Sequence, residues 1–406
     1  MRILFLSHYF PPEVNAPASR TFENCREWVR LGHSVTVVTC APNHPRGRVY
    51  EGYRNRLFQR ERMDGIEVVR VWTWLAANEG FVLRSMNYVS FMVSALLALP
   101  RLPKADVVVT TSPQFFNGLA GYFVRAWRRI PWVFEVRDLW PESIIAVGAA
   151  RNTLLIRLLE KLERFAYRKA DHIVPVTDAF ARHMVERDVP ATKITVIKNG
   201  ADLQRFNPGS AMHLRAELGL GDRFVAAYFG THGMAHGLDM LLEAAERLRN
   251  EPGIVFLMVG DGAERERLAR LREERKLDNV IMLGQQPKER MPGLWKTADV
   301  SLVLLRDTPL FRTVIPSKIF ESLAMETPVI LGVEGESRQL IEDSGAGVFV
   351  APGDSAQLAE QVRALSHERE RIREMGKRGA AYVRAHFDRA KLAERYARVL
   401  ESTSRA

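Results

Sequence analysis

The run Pro316-Ser317-Lys318-Ile319-Phe320-Glu321 sets a lysine and a glutamate three residues apart, just behind a proline and a serine. Proline suits a first helical position, where its missing N–H would have no partner anyway. A helix start aims unpaired N–H groups and the positive end of its dipole at one spot, which suits a phosphate. Lys318 adds a cation in that turn, and Glu321 lies on the same helix face. A phosphate bound there would leave the Glu321 carboxylate one turn deeper, within reach of a pair of ribose hydroxyls. Taken alone, the pair reads better as a surface Lys–Glu pair on an amphipathic helix.

Other residues could also do chemistry. Arg137-Asp138 sits at a strand end, where open α/β sheets bind ligands; a structural Arg–Asp pair is the alternative. His232 and His236 have the spacing of metal ligands on a helix. Gly233 and Gly237 would break that helix and no third ligand is evident, so no metal is expected. Gly260-Asp261-Gly262 lacks the third glycine and downstream acid of a dinucleotide fingerprint, and reads as a tight strand-to-helix turn. Gln285-Gln286-Pro287 follows a strand and is a candidate for contacting a nucleotide base.

The elements that must position these residues are short apolar strands alternating with helices. Strands are expected at Arg2–Ser7, Ser34–Thr39, Ile66–Val71, Asp106–Thr111, Trp132–Val136, His172–Val176 and Ile194–Ile197 in the first half. The second half repeats the pattern at Phe224–Phe229, Ile254–Val259, Val280–Leu283, Val300–Leu304, Pro328–Leu331 and Gly347–Val350. Near-continuous Val/Ile/Leu runs imply parallel strands buried on both faces by helices. The polar stretch Asn199–Asp222 reads as a linker. The domains are then expected at 1–200 and 201–385, with a last helix in 386–406. Periodicity leaves open whether that helix packs back on the first domain.

Composition narrows the function classes. Only Cys25 and Cys40 are present, which gives neither a disulfide framework nor a metal-ligand spacing. The opening apolar run Met1–Ser7 is too short for a signal-peptide core, so a cytoplasmic location is expected. The net charge is +10. Residues 1–202 hold 28 Lys+Arg against 19 Asp+Glu, or +9; residues 203–406 hold 30 against 29, or +1. Such asymmetry favours an anionic partner. The basic residues are scattered rather than arranged in a stripe with aromatic platforms, so nucleic acid is not expected. The nearly uncharged stretch Phe81–Pro100 is a borderline length for a membrane span. A buried core helix and a helix lying in the bilayer surface both remain open for it.

The sequence resembles the family 4 retaining glycosyltransferases of the GT-B fold over nearly its whole length. Pro-Ser-Lys-Ile-Phe-Glu, followed by a small-residue helix and the strand Pro328-Val329-Ile330, is similar to the family's donor-binding helix. His8-Tyr9-Phe10-Pro11-Pro12-Glu13, ending in Pro17-Ala18-Ser19-Arg20, resembles its first-strand loop. Glu135-Val136-Arg137-Asp138-Leu139-Trp140-Pro141-Glu142 resembles the loop of its bacterial polysaccharide branch. Asn199-Gly200-Ala201-Asp202 and Val259-Gly260-Asp261-Gly262 match its domain junction and a strand end in its second domain. The nearest pattern within the family is that of the N-acetyl-L-fucosaminyltransferase type of O-antigen and capsule synthesis. Two positions depart from the family. Thr313 stands where a Glu is usual, and Thr231 and His236 stand where an Arg and a Lys are usual. Backbone N–H groups of the Gly-rich loop Gly230–Gly237 can serve as a phosphate nest instead.

The resemblance implies two Rossmann-like domains with parallel sheets facing across a cleft. It implies a hexosyltransferase working from a nucleotide sugar, most simply a UDP-linked N-acetylated amino sugar, without metal or other cofactor. The implied donor-binding residues are Asn15, Thr231, His232, Gly233, Asp261, Gln286, Ser317, Lys318, Ile319 and Glu321. Glu13, Arg137, Asp138 and His236 would serve catalysis. No nucleophilic carboxylate is apparent, so retention is expected through front-face attack, with the leaving phosphate oxygen taking the acceptor proton. The acceptor is expected to be a saccharide on a polyprenyl diphosphate at an anionic inner leaflet. A sugar-nucleotide epimerase of the same fold and a non-catalytic nucleotide-binding partner are the competing readings.

Overall fold

With one exception, the short apolar runs of the sequence fold as strands. A computed structural model describes residues 1–44, 46–76, 81–112, 114–146 and 153–405. The chain divides into two units, Met1–Lys198 with Arg389–Ala406, and Asn199–Asp388.

The first unit runs β1 (Arg2–Leu6), α1 (Ala16–Arg30), β2 (Ser34–Cys40), β3 (Phe58–Met63), β4 (Ile66–Val71), α2 (Phe81–Ala98), β5 (Val107–Thr111), α3 (Phe115–Arg128), β6 (Trp132–Val136), α4 (Glu142–Ala146), α5 (Thr153–Lys169), β7 (His172–Pro175) and α6 (Asp178–Val185). Its sheet has the order β3-β4-β2-β1-β5-β6-β7. Central β1 pairs in parallel with β2 (Ile3↔Val35) and with β5 (Ile3↔Val107). Strand β3 is the one antiparallel member and was not expected. It is a charged edge strand, Phe-Gln-Arg-Glu-Arg-Met, and shows no apolar run to read. The run Ile194–Ile197 does not form a strand. It donates from Thr195 N to Ile173 O and from Ile197 N to Pro175 O. Pro175 has no N–H to return, so only a bridge forms at Ile173↔Ile194.

Two features tie this unit together. Arg20 and Glu135 form an ion pair at 3.1 Å with side chains 2% and 0% exposed. Arg20 also donates to the carbonyls of Ile197 and Lys198, both at 3.0 Å. The last helix of the chain, Arg389–Arg405, packs on α1. Trp28 Nε1 donates to Ala393 O at 2.9 Å, and its ring meets Tyr396 edge-on.

The second unit runs β8 (Phe224–Phe229), α7 (Asp239–Arg247), β9 (Ile254–Val259), α8 (Arg265–Glu274), β10 (Val280–Leu283), α9 (Met291–Thr297), β11 (Val300–Leu304), α10 (Lys318–Ala324), β12 (Val329–Gly332), α11 (Glu336–Ser344), β13 (Gly347–Phe349), α12 (Ser355–Ser366) and α13 (Arg369–His386); the helix Arg389–Arg405 is then α14. Its six strands are all parallel, in the order β10-β9-β8-β11-β12-β13. Strand β8 shows why the run is apolar throughout. Val225, Ala227 and Phe229 enter the core on one face, and Phe224, Ala226 and Tyr228 the core on the other. Each large side chain so buried contributes about 1.5–3 kcal/mol.

Among the described residues no helix is long and apolar enough to cross a membrane. Within Phe81–Pro100, Tyr88, Phe91, Ala95 and Ala98 are buried while Leu83, Met86, Val93 and Leu97 are exposed.

Candidate active site

The second domain builds its site at the carboxyl end of β8. The chain turns at Gly230 (φ +130°), passes Thr231, His232 and Gly233, makes a short 3-10 turn, and leaves through Gly237 (φ +55°). The neighbouring strand end must come very close. A Cβ on Gly260 would lie 1.8 Å from Gly230 O, and one on Gly262 would lie 2.5 Å from His232 O. His232 N then donates to Asp261 O, and Glu264 N to His232 O, both at 2.9 Å. The Gly-Asp-Gly run thus lets two loops share backbone bonds. Asp261 Oδ1 accepts from Gly262 N at 2.8 Å, within the same turn.

Lys318 extends over this loop. Its ammonium sits 3.9 Å from the centroid of the Tyr228 ring, a cation–π contact. The Nζ atom is buried with no hydrogen-bond acceptor. Burial pushes its pKa down to about 7, against the pull of Glu321. His232 is fully buried with both ring nitrogens unpartnered, and His236 Nδ1 is unpartnered as well. Both rings flank Tyr228, at 5.8 and 5.9 Å. Burial pushes the imidazoles to about 4 and about 3, with the Lys318 charge adding to the effect on each. Three groups able to carry positive charge therefore meet around one tyrosine.

The surrounding residues refine the sequence reading. Ile319 N and Phe320 N donate to the carbonyls of Pro316 and Ser317, at 3.0 and 3.1 Å, so those amides of the helix start are already engaged. Ser317 makes no side-chain cap. The Ile319 side chain is wholly buried in the core. Gln286 is held by its own loop, donating to Gly284 O and accepting from Arg290. Thr313 donates to Leu310 O at 2.6 Å. Tyr228 carried no signal beyond its place in an apolar strand.

The first domain gathers a second cluster at the carboxyl ends of β1, β2 and β6. Glu13 Oε1 accepts from the amides of Asn43 and His44 at 2.8 and 2.9 Å, and its Oε2 is buried without a partner. Burial raises this carboxyl to about 7. Asn15 Oδ1 caps α1 by accepting from Ala18 N at 2.8 Å, which uses that oxygen structurally. The amides of Arg137 and Asp138 donate to Ser112 Oγ at 2.7 and 3.2 Å. Arg137 Nε and Nη1 are buried without partners. Burial raises Asp138 to about 6 even though Arg137 and Arg84 pull it down.

Sequence reasoning set His8 and Tyr9 in the first-strand loop without a role, and passed over Arg84, Tyr88 and His44. His8 follows β1 and is packed edge-on by Tyr9, Tyr88 and Phe91, and burial drives its pKa to about 3. Arg84 donates to Tyr88 Oη at 3.1 Å, and the Tyr9 and Tyr88 hydroxyls lie 3.2 Å apart. His44 packs on Tyr9. His8 could have been found by its place at a strand end. Arg84 and Tyr88 come from α2, far along the chain, and had no local signature.

Two α/β domains each close a cluster of buried ionisable groups at their strand ends. Residues 15–200 match the model of the Glycosyl transferase 4-like domain, and residues 213–382 that of Glycosyl transferases group 1. The chain is a glycosyltransferase of the GT-B fold, composed of glycosyltransferase family 4 domains. It is 26% identical over 375 residues to the putative colanic acid biosynthesis glycosyl transferase WcaI of Escherichia coli K12, covering 89% of this chain and 91% of that one. Its fold is similar to that of sucrose-phosphate synthase from Thermosynechococcus elongatus, with a TM-score of 0.79 at 18% identity over 99% of this chain and 98% of that one. It is also similar to Anabaena HepE in complex with UDP-glucose, with a TM-score of 0.74 at 18% identity over 99% of this chain and the whole of that one.

Proposed function

We propose that this chain transfers a sugar from a UDP-sugar, an N-acetylated amino sugar, to a lipid-linked saccharide during synthesis of a bacterial surface polysaccharide. The observation that carries the donor side is the buried Lys318 ammonium, without an acceptor, beside His232, His236 and the glycine loop. The ammonium feels the Glu321 charge but has no hydrogen-bond acceptor, and a nucleotide diphosphate supplies one. The UDP-glucose bound by the structurally similar HepE and the colanic acid role in the name of WcaI support the choice of donor and pathway class. The amino sugar rests on the likeness of the sequence to the fucosaminyltransferase pattern. The matches of both domains to glycosyl transferases do not favour an epimerase or a non-catalytic partner.

In this reading Glu321 holds the ribose, the backbone at Gln285–Pro287 meets the base, and Thr231, His232, Gly233 and Ser317 surround the diphosphate. Negative charge grows on the leaving diphosphate as the glycosidic bond breaks, and preorganised donors at that point lower the barrier. Lys318 and the loop of Thr231–Gly233 do this, and His236 lies beside the same phosphate. Glu13, Arg137 and Asp138 serve the acceptor. Attack occurs on the face from which the diphosphate leaves, and a phosphate oxygen takes the acceptor proton, so configuration is retained without metal. Work on a lipid-linked acceptor places the chain on the cytoplasmic side of an anionic membrane, as a peripheral protein.

A thermal-shift screen against UDP-, GDP-, ADP- and dTDP-sugars tests the donor. A bound donor raises the melting temperature by mass action, and UDP-sugars are expected to do so most. No shift with any UDP-sugar at millimolar concentration would sink the proposal.

A further inference from the structure

Helices α2, α3 and α5 form one continuous layer of the first domain, with α3 packed on both of the others. Helix α2 divides its apolar residues into two stripes. Tyr88, Phe91, Ala95 and Ala98 face the core, and Leu83, Met86, Val93 and Leu97 face outward at helical spacing, with Leu97 70% exposed. Helix α3 adds Phe123 and Trp127 one turn apart, Trp127 being 72% exposed. Helix α5 adds Leu158. Exposed apolar residues are unremarkable singly, but contiguous ones mark an interaction surface.

Charge decides what that surface meets. Residues 81–104 and 114–130 contain no acid and six cations. Of these, Arg101, Lys104 and Arg129 are exposed, and α5 exposes Arg157, Lys161 and Arg164 beside Leu158. A second copy of the chain set on this face would bring cations against cations. An anionic bilayer satisfies both features together, because apolar side chains enter the acyl boundary while Lys and Arg meet the headgroups.

We propose that the α2–α3–α5 layer is the face by which the chain lies on an anionic lipid bilayer, with Leu97 and Trp127 inserted. The proposal rests on the membrane reading above but is read without donor or acceptor. The full chain is co-sedimented with phosphatidylcholine vesicles, with and without phosphatidylglycerol, for wild type, Leu97→Ser/Trp127→Ser and Lys161→Gln/Arg164→Gln. Wild type is expected to bind the anionic vesicles and to be released by salt. The apolar double variant should lose about tenfold or more in partitioning, given the area two such side chains bury. The basic double variant, whose side chains are exposed and keep the fold, should lose its preference for anionic over neutral vesicles. Absence of wild-type binding, or double variants that bind like wild type, would overturn the proposal. A dimer in sedimentation velocity that Leu97→Ser/Trp127→Ser dissociates, without vesicle binding, would also overturn it and make the face a self-interface. Sugar transfer to a soluble acceptor is measured separately: its absence with vesicle binding intact removes the acceptor reading and leaves this face in place.

Discussion

The two domains bury different sets of ionisable groups at their strand ends. In the first domain the perturbed groups include acids held toward neutrality, Glu13 at about 7 and Asp138 at about 6, beside the depressed base His8. In the second they are bases held toward neutrality, Lys318 at about 7, with His232 and His236 lower still. The first domain also contains a fully buried ion pair, Arg20–Glu135, in which each charge has partners. The second domain leaves its buried ammonium with a tyrosine face and no acceptor. A charge buried with its counter-ion maintains a fold. A charge buried without an acceptor is set to receive one from a ligand.

The contrast can be broken most sharply on stability. Arg20→Met leaves Glu135 buried beside an apolar side chain and should cost about 3–5 kcal/mol, the usual loss when one member of a buried pair is removed. Lys318→Met removes a cation whose burial outweighs the pull of Glu321 and whose ammonium has no acceptor, so the denaturation midpoint at pH 6 should hold or rise. Equal losses from the two variants, measured by denaturant unfolding, would erase the distinction. The same lysine should behave oppositely in turnover. Lys318→Ala is expected to lower kcat by roughly a hundred- to a thousandfold, as for loss of one preorganised donor to a developing oxyanion. Near-normal turnover by Lys318→Ala would remove it from the leaving-group site.

A smaller effect concerns pH. Free Lys318 is half-protonated near pH 7, and a bound diphosphate restores its charge. Above that pH binding must therefore take up a proton, and affinity for UDP should fall by up to about tenfold per pH unit between pH 7.5 and 8.5. Titration calorimetry in two buffers of different ionisation enthalpy reads the uptake directly. Lys318→Arg keeps its charge throughout this range and should flatten the profile. A wild-type affinity independent of pH would place the diphosphate elsewhere.

Much of this contrast was legible in the sequence, and the missing part has physical causes. Strands buried on both faces announce themselves as unbroken apolar runs, which is why the parallel sheets could be read and the charged edge strand β3 could not. Lys318 and Glu321 were visible because one helical turn relates them. Ile319 lies between them in sequence, but the helix turns its side chain into the core. The helix start itself promised more free amides than it has, since Ile319 N and Phe320 N bond back to the two preceding residues. Helix α2 could not be assigned to core or surface because it does both, and an almost uncharged sequence has no polar face to reveal the division. The His8–Tyr88–Arg84 cluster joins a strand end to a helix some eighty residues later. Such a cluster exists only after folding.

The gentlest test lies in the first domain. Glu13 titrates near 4.5 when unfolded and near 7 when folded, so the native state holds its proton more tightly. Its contribution to stability is full below the unfolded value and is lost as pH rises through 7. Glu13→Gln keeps an oxygen to accept from the Asn43 and His44 amides while removing the titration. The variant should therefore melt within a few degrees of wild type at pH 5 and show a shallower fall in melting temperature between pH 5 and 8. The fall should persist in Lys318→Met, because the lysine it removes works in the other direction: a base depressed to about 7 gives stability that is lost as pH falls through that value. Scanning both variants across pH 5 to 8 separates the two domains' signs in a single experiment. Identical slopes for wild type and Glu13→Gln would mean that the two amide bonds hold Glu13 ionised throughout, and that the first domain keeps its acid charged rather than neutral.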